Sequence, residues 1–334
     1  MATVTAFAPG RVNLIGDHTD YTGGLVLPMA IDMGTTVTGE RGGGRVVLDS
    51  DAGAVGEPRI EFAVPVGAAL GQEGWGRYAE AVAAELGVTE GLVGRVTSDL
   101  PIGAGLSSSA SLELAVALAL GFEGPARELA GICQRAEQAA SGVPCGIMDQ
   151  LASAAGAAGC ALLIDCRTLV IDEVPFPDDV QVVVVHSGQV RRLAASAYAD
   201  RRRQCEEAEA LIGPLRDADP GLVETIADPL VRARARHVVS ENDRVARFAT
   251  ALTAGDPVTA GQLMLESHRS LAGDFDVSTD ALDALVAGLT DRPGVWGARL
   301  TGAGFGGCVV ALARPGAIDT GWPVRPAGGA TVYL

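Results

Sequence analysis

The feature that most constrains the fold is the uneven order of strand-like and helix-like segments along the 334-residue chain. Residues 1–65 consist of β-type runs separated by glycine-containing turns, which predicts strands. From about residue 198 onward, apolar residues recur at helical spacing, and the chain ends in a glycine-rich hairpin followed by a short strand. Because runs of strands and runs of helices do not alternate strictly, this order is typical of the α+β class.

The middle of the chain mixes both kinds of segment. We predict a first helix over residues 75–87, a second after the serine-rich stretch near 108, a third that ends at Gly142, and a fourth that begins near Ile147. The length is comfortable for two domains. We therefore expect an N-terminal α+β lobe over residues 1–185 and a C-terminal α+β lobe over residues 186–334.

Charge and cysteine usage narrow the functional classes. The net charge of -16 disfavours nucleic acid and anionic membranes as partners. The six cysteines form no CxxC pair and the four histidines form no HExxH motif, which disfavours a disulfide framework or a zinc site. The N-terminus lacks the basic and apolar regions of a signal peptide, and the longest apolar runs are too short for a bilayer, so we expect a cytoplasmic protein.

The stretch PIGAGLSSSAS, residues 101–111, follows a predicted strand and precedes a predicted buried helix. It is not a Walker A loop, since no Gly-Lys-Ser/Thr follows, and Ser108 stands where the dinucleotide fingerprint needs its third glycine. Unpaired backbone N–H groups at such a helix start favour an anion. On its own, the stretch leaves open a phosphate cradle and a plain helix-capping turn.

A second glycine-rich stretch, GAGFGGCV at residues 302–309, fits the pattern GxGxxG. A dinucleotide site needs a helix after the glycines, whereas the β-type run CVVALA follows here. A protein kinase needs this loop near its start with VAIK, HRD and DFG motifs behind it, and the sequence has none of these. Taken alone, the stretch predicts a tight hairpin turn whose glycines let a ligand approach the backbone closely.

The stretch GRVNLIGDHTDYTGG, residues 10–24, places four ionisable side chains between apolar flanks. Such a loop is compatible with a polar surface turn, but polar clusters held between buried strands are typical of ligand sites. Carboxylates accept hydrogen bonds and an imidazole both donates and accepts, which suits the hydroxyl groups of a sugar. The four side chains are Arg11, Asp17, His18 and Asp20.

Together and in this order, the three stretches resemble the motifs of the sugar and isoprenoid kinase superfamily that contains galactokinase, homoserine kinase, mevalonate kinase and phosphomevalonate kinase. The first stretch is similar to the galactokinase signature, and PCGIMDQ (144–150), SAYADRRRQCEEA (196–208), ESHRSL (266–271) and GGATVYL (328–334) also resemble galactokinase segments. The resemblance covers almost the whole chain. It implies a two-lobed small-molecule kinase fold with the active site in the cleft between the lobes, and phosphoryl transfer from MgATP to the C1 hydroxyl of galactose.

The resemblance also implies residue roles. Asp149 takes the place of the catalytic aspartate and Arg11 that of the arginine close to it; whether Asp149 abstracts the proton of the C1 hydroxyl or only orients this hydroxyl stays open. Sugar-contacting positions fall on Asp17, His18, Asp20, Gly146 and Tyr198. Nucleotide contacts fall on Trp75 near the adenine and on Gly103, Gly105, Leu106, Ser107 and Ser108. The Mg²⁺ positions fall on Ser109 and Glu137.

One residue departs from the family pattern. Asp17 stands where galactokinases usually have glutamate, and its side chain is one methylene shorter, so the sequence leaves the exact sugar open. D-galactose is the first expectation; N-acetylgalactosamine, L-arabinose or another sugar acted on at C1 are alternatives. A non-catalytic sugar or ATP sensor is disfavoured because GLSSSAS, Arg11 and Asp149 are intact. The expected partners are a sugar and MgATP, in a monomer or weak oligomer.

Overall fold

A computed structural model describes residues 3–50, 58–101, 104–189 and 194–333, which form two β-sheets with helices packed against them. The strands are β1 (Thr3–Ile15), β2 (Leu25–Arg41), β3 (Arg45–Ser50), β4 (Arg59–Ala63), β5 (Leu92–Ser98), β6 (Cys160–Asp165), β7 (Val170–Pro175), β8 (Gln181–His186), β9 (Val295–Thr301), β10 (Cys308–Ala313), β11 (Trp322–Val324) and β12 (Thr331–Tyr333). The helices are α1 (Gly76–Leu86), α2 (Ser108–Ala119), α3 (Ala126–Ser141), α4 (Met148–Ala155), α5 (Ala194–Ile212), α6 (Pro220–Val223), α7 (Pro229–Thr253), α8 (Pro257–Gly273) and α9 (Asp280–Thr290).

The first sheet has the strand order β12-β1-β2-β5-β3-β4, with β6 added to β2 and β7 to β6. Its long central strands β1 and β2 pair antiparallel, and their register shifts between Pro9 and Arg11 and again between Asn13 and Ile15. A bulge of this kind bends a strand and re-aims its side chains. The irregular register therefore falls at the part of β1 that carries Arg11.

The second sheet has the order β11-β8-β10-β9. The strands β9 and β10 form the hairpin predicted from the glycine-rich stretch 302–309, and β8 pairs with β10. After the last strand of this sheet, the chain forms β12, which pairs with β1 in the first sheet. The lobe boundary at residue 185 stays a prediction; β8, which spans it, belongs to the second sheet.

The helices follow local sequence signals. Every residue of α2 from Ala110 to Ala119 is buried, as expected of a helix that is apolar on all sides. The helix α3 ends at Gly142, which has φ +70° and donates its N–H to the Gln138 carbonyl, as the sequence predicts. The helix α7 begins after Asp228, whose carboxylate accepts from backbone N–H groups, with Pro229 in the first turn.

Three clusters of buried apolar side chains hold the sheets and helices together. One cluster lies between the first sheet and α1 to α4, and another between the second sheet and α5 to α9. A third cluster combines the end of β1 with strands of the second sheet and with α7 and α8. The predicted α+β class is confirmed. In the described part of the chain, every helix is too short or too polar to cross a membrane.

Candidate active site

A cavity of about 540 Å³ lies where the end of β1 and the loop after it meet the start of α2, the start of α4 and the β9–β10 turn. The sequence predicted most of its polar lining. Predicted residues that line it are Arg11, Asp17, His18, Asp20, Gly105, Ser107, Ser108, Ser109, Glu137, Gly146, Asp149 and Tyr198. The three motifs, which are far apart in the chain, thus converge on one cavity.

Asp149 lies in the first turn of α4 and is held by two other elements. Its Oδ1 accepts from Arg11 Nε at 2.7 Å and lies 2.6 Å from Arg11 Nη2, while its Oδ2 accepts from Ser107 Oγ at 2.6 Å. Arg11 also donates from Nη1 to the Gly105 carbonyl at 2.7 Å. A guanidinium forms charge-assisted bonds with carboxylates and can also neutralise phosphate oxygens. Arg11 is therefore placed to serve both groups.

Ser109 and Glu137 form the second polar pair of the cavity. Ser109 Oγ donates to Glu137 Oε1 at 2.8 Å, and Gln150 donates to the other carboxylate oxygen. Gln150 also donates to the fully buried Glu113 at 3.2 Å. Burial, and then the negative charge of Glu137, raise the pKa of Glu113 well above its ordinary value. A layer of carboxyl and amide groups therefore lies directly behind the cavity wall.

The end of the cavity formed by the loop after β1 is closed by the second sheet. Asp17 forms a buried ion pair with Arg299 of β9, and its Oδ1 accepts from the Gly302 N–H at 3.0 Å. Arg299 also donates to the Leu14 carbonyl at 3.1 Å. Each carboxylate oxygen of Asp17 therefore already has a protein donor. One of these donors, the Gly302 N–H, belongs to the backbone of the predicted glycine hairpin of residues 302–309.

His18 is held in a neutral, defined tautomer. Because the Ala303 carbonyl can only accept, His18 Nε2 donates to it at 3.3 Å, and Nδ1 accepts from the Tyr21 hydroxyl at 3.0 Å. Burial lowers the pKa of His18 to about 3. Tyr198 of α5 packs against this ring, with centroids 5.6 Å apart and the ring planes tilted by 40°. These side chains form a firm wall of the cavity.

Asp20 is the half-buried carboxylate of the loop and has no ion-pair partner among the described residues. Burial, followed by the negative charge of Asp149, raises its pKa to about 7. A side chain at position 146 would overlap the Asp20 carboxylate, so the glycine there allows the close approach of α4 and the loop. The Asp20 carboxylate accepts from the Tyr21 backbone N–H and lines the cavity, so its remaining acceptor positions can take hydrogen bonds from a polyhydroxyl ligand.

The remaining predicted residues lie outside the cavity wall or outside the described chain. Trp75 is half-buried and packs against the apolar cluster of the first sheet, while Tyr78, one turn later on α1, lines the cavity. Leu106 is buried in the core, and its carbonyl accepts from the Arg11 N–H at 3.1 Å. Gly103 lies outside the described residues.

Some lining residues were missed by the sequence predictions. Gly302 was assigned only a turn. Arg299 and Gln150, which bond to lining residues from behind the cavity wall, were given no role because the neighbouring sequence gives no signal for these contacts. Their importance depends on contacts with residues up to 282 positions away along the chain. Unpredicted cavity residues are Tyr78, Ser141, Val143, Cys145, Met148, Gly302 and Ala303.

The oxygen atoms of this cavity fit a magnesium nucleotide. Ser109 Oγ and Glu137 are hard oxygen donors, and Mg²⁺ typically binds one or two protein groups together with phosphate oxygens and waters. Within the described residues, no group of three or more His, Cys, Asp or Glu side chains forms a metal site. Gly105, with φ +72°, lies just before the start of α2, where backbone N–H groups favour an anion.

Three family models match the chain in order. They are the galactokinase galactose-binding signature over residues 2–41, the GHMP kinases N terminal domain over 75–157 and the GHMP kinases C terminal over 248–320. These ranges contain the loop after β1, the Gly/Ser loop with Asp149, and the β9–β10 hairpin. The fold and site thus define a small-molecule kinase of the GHMP class.

Comparison with individual proteins indicates which family of GHMP kinases the chain resembles. Human galactokinase is 45% identical over 325 residues, which cover 91% of this chain and 82% of the human protein. The crystal structure of Lactococcus lactis galactokinase complexed with galactose matches with a TM-score of 0.91 and 31% identity, over 98% of this chain and 95% of that one. A mevalonate kinase structure, with a TM-score of 0.69 and 19% identity over 97% and 99%, shares the fold. The chain belongs to the galactokinase family.

Proposed function

We propose that this protein is an ATP-dependent sugar 1-kinase that phosphorylates D-galactose at C1. The observation that carries the proposal is the placement of Asp149 between the Gly/Ser loop and the polar loop after β1, with one oxygen bound by Arg11 and the other by Ser107. Membership of the galactokinase family supports the same substrate pair. The enzyme class is a phosphotransferase with an alcohol group as acceptor.

The reaction needs positioning and charge neutralisation more than covalent chemistry. The C1 oxygen of the sugar forms a bond to the γ-phosphorus as the bond from that phosphorus to the bridging oxygen of ADP breaks. The proton of the C1 hydroxyl moves to Asp149, and Arg11 neutralises oxygens that carry charge in the transition state. Ser109 and Glu137 would hold Mg²⁺, which would supply further neutralisation of phosphate charge.

The sugar is assigned to the end of the cavity lined by Asp17, His18, Asp20, Gly146 and Tyr198. Asp20 supplies an acceptor for sugar hydroxyls, whereas Asp17 and His18 are already bonded to protein groups and shape the wall. Because Asp17 is shorter than the glutamate usual in galactokinases, N-acetylgalactosamine and L-arabinose are alternative substrates. The nucleotide is assigned to the other end, at Gly105, Ser108 and the backbone N–H groups of Ser107 and the start of α2.

The deciding experiment is a panel of free sugars with MgATP, with D-galactose, L-arabinose, 6-deoxygalactose and N-acetylgalactosamine compared by kcat/KM. Galactose should give the highest value. Asp149→Asn, which keeps volume and loses the anion, should remove most turnover while sugar binding and thermal stability survive. Turnover of another sugar in place of galactose would change the substrate but not the kinase chemistry; ATP and sugar binding without any turnover would favour the sensor alternative.

Three further properties remain predictions from the sequence. These are a cytoplasmic location, a monomeric or weakly associating state, and the lack of nucleic-acid or membrane partners, of which the last is supported by the net charge of -16. Fractionation, analytical ultracentrifugation and binding to anionic vesicles or DNA would test them separately.

A further inference from the structure

Ser107 is a serine in a backbone conformation that suits glycine. It is buried at the start of α2 with φ 56° and ψ 49°, in the left-handed region. A serine at a helix start commonly caps it by accepting from a backbone N–H, but the Ser107 side chain makes no such bond. Neither backbone preference nor helix capping therefore accounts for a hydroxyl at this position.

The hydroxyl of Ser107 is bonded to Asp149. Ser107 Oγ donates to Asp149 Oδ2 at 2.6 Å, whereas Arg11 takes Oδ1 through Nε at 2.7 Å. The two donors come from different elements, the start of α2 and the end of β1. A carboxylate tied at one oxygen can still rotate about its bond to the side chain, and a second tie at the other oxygen removes this freedom.

A hydroxyl carries one proton and can donate one hydrogen bond. While Ser107 donates to Asp149, it has no proton left for a phosphate oxygen. Ser108, the next residue, is exposed and lines the same cavity, and the backbone N–H groups at the start of α2 are further donors. The phosphate contacts of this loop do not need the Ser107 hydroxyl.

We infer that Ser107 is a positioning residue for Asp149, and that its hydroxyl holds the orientation of this carboxylate toward the sugar rather than binding the nucleotide. The inference rests on the proposed function, since it assigns to Ser107 a part in placing the group that accepts the proton of the C1 hydroxyl. The Gly/Ser loop, which is assigned to the nucleotide, thereby also orients the carboxylate that faces the sugar.

The test uses Ser107→Ala and Ser107→Gly in the full-length protein, with galactose and MgATP. Both variants lose the hydroxyl, so kcat should fall about tenfold in each, in line with loss of one hydrogen bond to a charged group. The dissociation constant for MgADP, measured by calorimetry, should stay within about twofold of the natural protein. Because glycine suits the left-handed backbone, Ser107→Gly should be at least as thermally stable as Ser107→Ala.

Two further variants serve as controls. Ser111 lies on the same helix and donates its hydroxyl to the Ala8 carbonyl at 2.7 Å, away from Asp149. Ser111→Ala should lower thermal stability and leave kcat unchanged, which gives the effect of losing a buried serine bond alone. Ser108→Ala should weaken MgADP binding, because this exposed serine lines the cavity at the end assigned to the nucleotide.

The outcomes separate the alternatives. Weaker MgADP binding in the Ser107 variants, by tenfold or more, would overturn the inference because the hydroxyl would then serve the phosphates. An unchanged kcat in Ser107→Gly would also overturn the inference. So would a fall in kcat that follows the loss of thermal stability across the Ser107 and Ser111 variants. If the natural protein phosphorylates no sugar, the proposed function fails by itself; a crystal structure of Ser107→Ala with an unmoved Asp149 carboxylate would then reject the inference, and a rotated one would support it.

Discussion

Glu137 shares its carboxylate between the cavity and the interior. One oxygen accepts from Ser109 at 2.8 Å and the other from Gln150. Burial, and then the charge of Asp149, raise the pKa of Glu137, while the bonds from Ser109 and Gln150 act in the opposite direction. A divalent cation beside the carboxylate would favour its charged form. Glu137 is thus the carboxylate of the cavity best suited to share a metal with phosphates.

The Mg²⁺ assignment predicts a shifted metal requirement. Glu137→Ala should raise the Mg²⁺ concentration needed for half-maximal activity by about tenfold or more, because one of two protein ligands is lost. The same variant should bind MgADP more weakly by calorimetry. Glu128→Ala, an exposed carboxylate at the start of the same helix, serves as the control. If the Mg²⁺ titrations of both variants overlay that of the natural protein, Glu137 is not a ligand.

Asp20 gives the site a pH dependence. Its pKa is raised to about 7 by burial and then by the charge of Asp149, so the free enzyme loses this anionic acceptor as the pH falls through 7. At saturating ATP, kcat/KM for galactose should fall toward about one tenth for each pH unit below 7. Asp20→Asn should show a low kcat/KM without this inflection. An inflection that persists in Asp20→Asn would assign it to another group.

At the scale of elements, α7 fastens the loop that joins β1 to β2. Glu241 accepts from the Gly16 N–H at 3.0 Å, His237 donates to the Asp17 carbonyl at 3.2 Å, and Asn242 accepts from the Leu25 N–H at 2.7 Å. Both ends of the loop are therefore bonded to one helix. This arrangement holds Asp17, His18 and Asp20 in place without contacting a ligand.

Glu241 is the central group of this contact. It is fully buried and paired with Arg244 at 2.7 Å; burial alone would raise its pKa, but Arg244 and the Ser267 bond lower it to about 2. Glu241→Gln should lower the free energy of unfolding by about 3–5 kcal/mol, since Arg244 loses its buried partner. The KM for galactose should rise several-fold while the KM for ATP changes little, because the loop belongs to the sugar end.

The control for Glu241→Gln lies on the same helix. Asp243 pairs with Arg247 at 3.2 Å on the exposed face, and exposed pairs of this kind contribute little to stability. Asp243→Asn should leave both KM values and the unfolding midpoint near those of the natural protein. Equal rises in both KM values for Glu241→Gln would indicate general loosening of the fold rather than an effect on the loop.

The sequence predicted the local elements well because their signals are local. Gly142 ends α3 as expected, and α4 begins at Met148, one residue from the predicted start. The stretches at residues 10–24 and 101–111, together with the roles that the family resemblance implies, predicted most of the polar cavity lining. Arg299 could not be predicted in this way, because a buried arginine in an apolar strand gains its meaning only from Asp17, 282 positions earlier. For the same reason, the bond between Ser107 and Asp149 had no sequence signal.

At the scale of the whole molecule, the two sheets share interior contacts. The cluster that contains Val12 and Leu14 of β1 also contains Val184 of β8 and Val310 of β10. Polar contacts cross at the same place, where Thr301 donates to the Asn13 carbonyl at 3.0 Å. The strand β12 also returns to β1 after the second sheet is complete. Because they share these contacts, neither sheet can lose its structure without exposing part of the other.

This shared interior predicts a single cooperative unfolding transition that depends on the buried pair of Asp17 and Arg299. Asp17→Asn removes the charge that compensates the fully buried guanidinium, so the free energy of unfolding should fall by about 3–5 kcal/mol. Chemical unfolding followed by fluorescence and circular dichroism should move to lower denaturant as one transition. Glu61→Gln, which breaks an exposed pair with Arg45 in the first sheet, should barely shift it. Two separate transitions in the natural protein would contradict the shared interior.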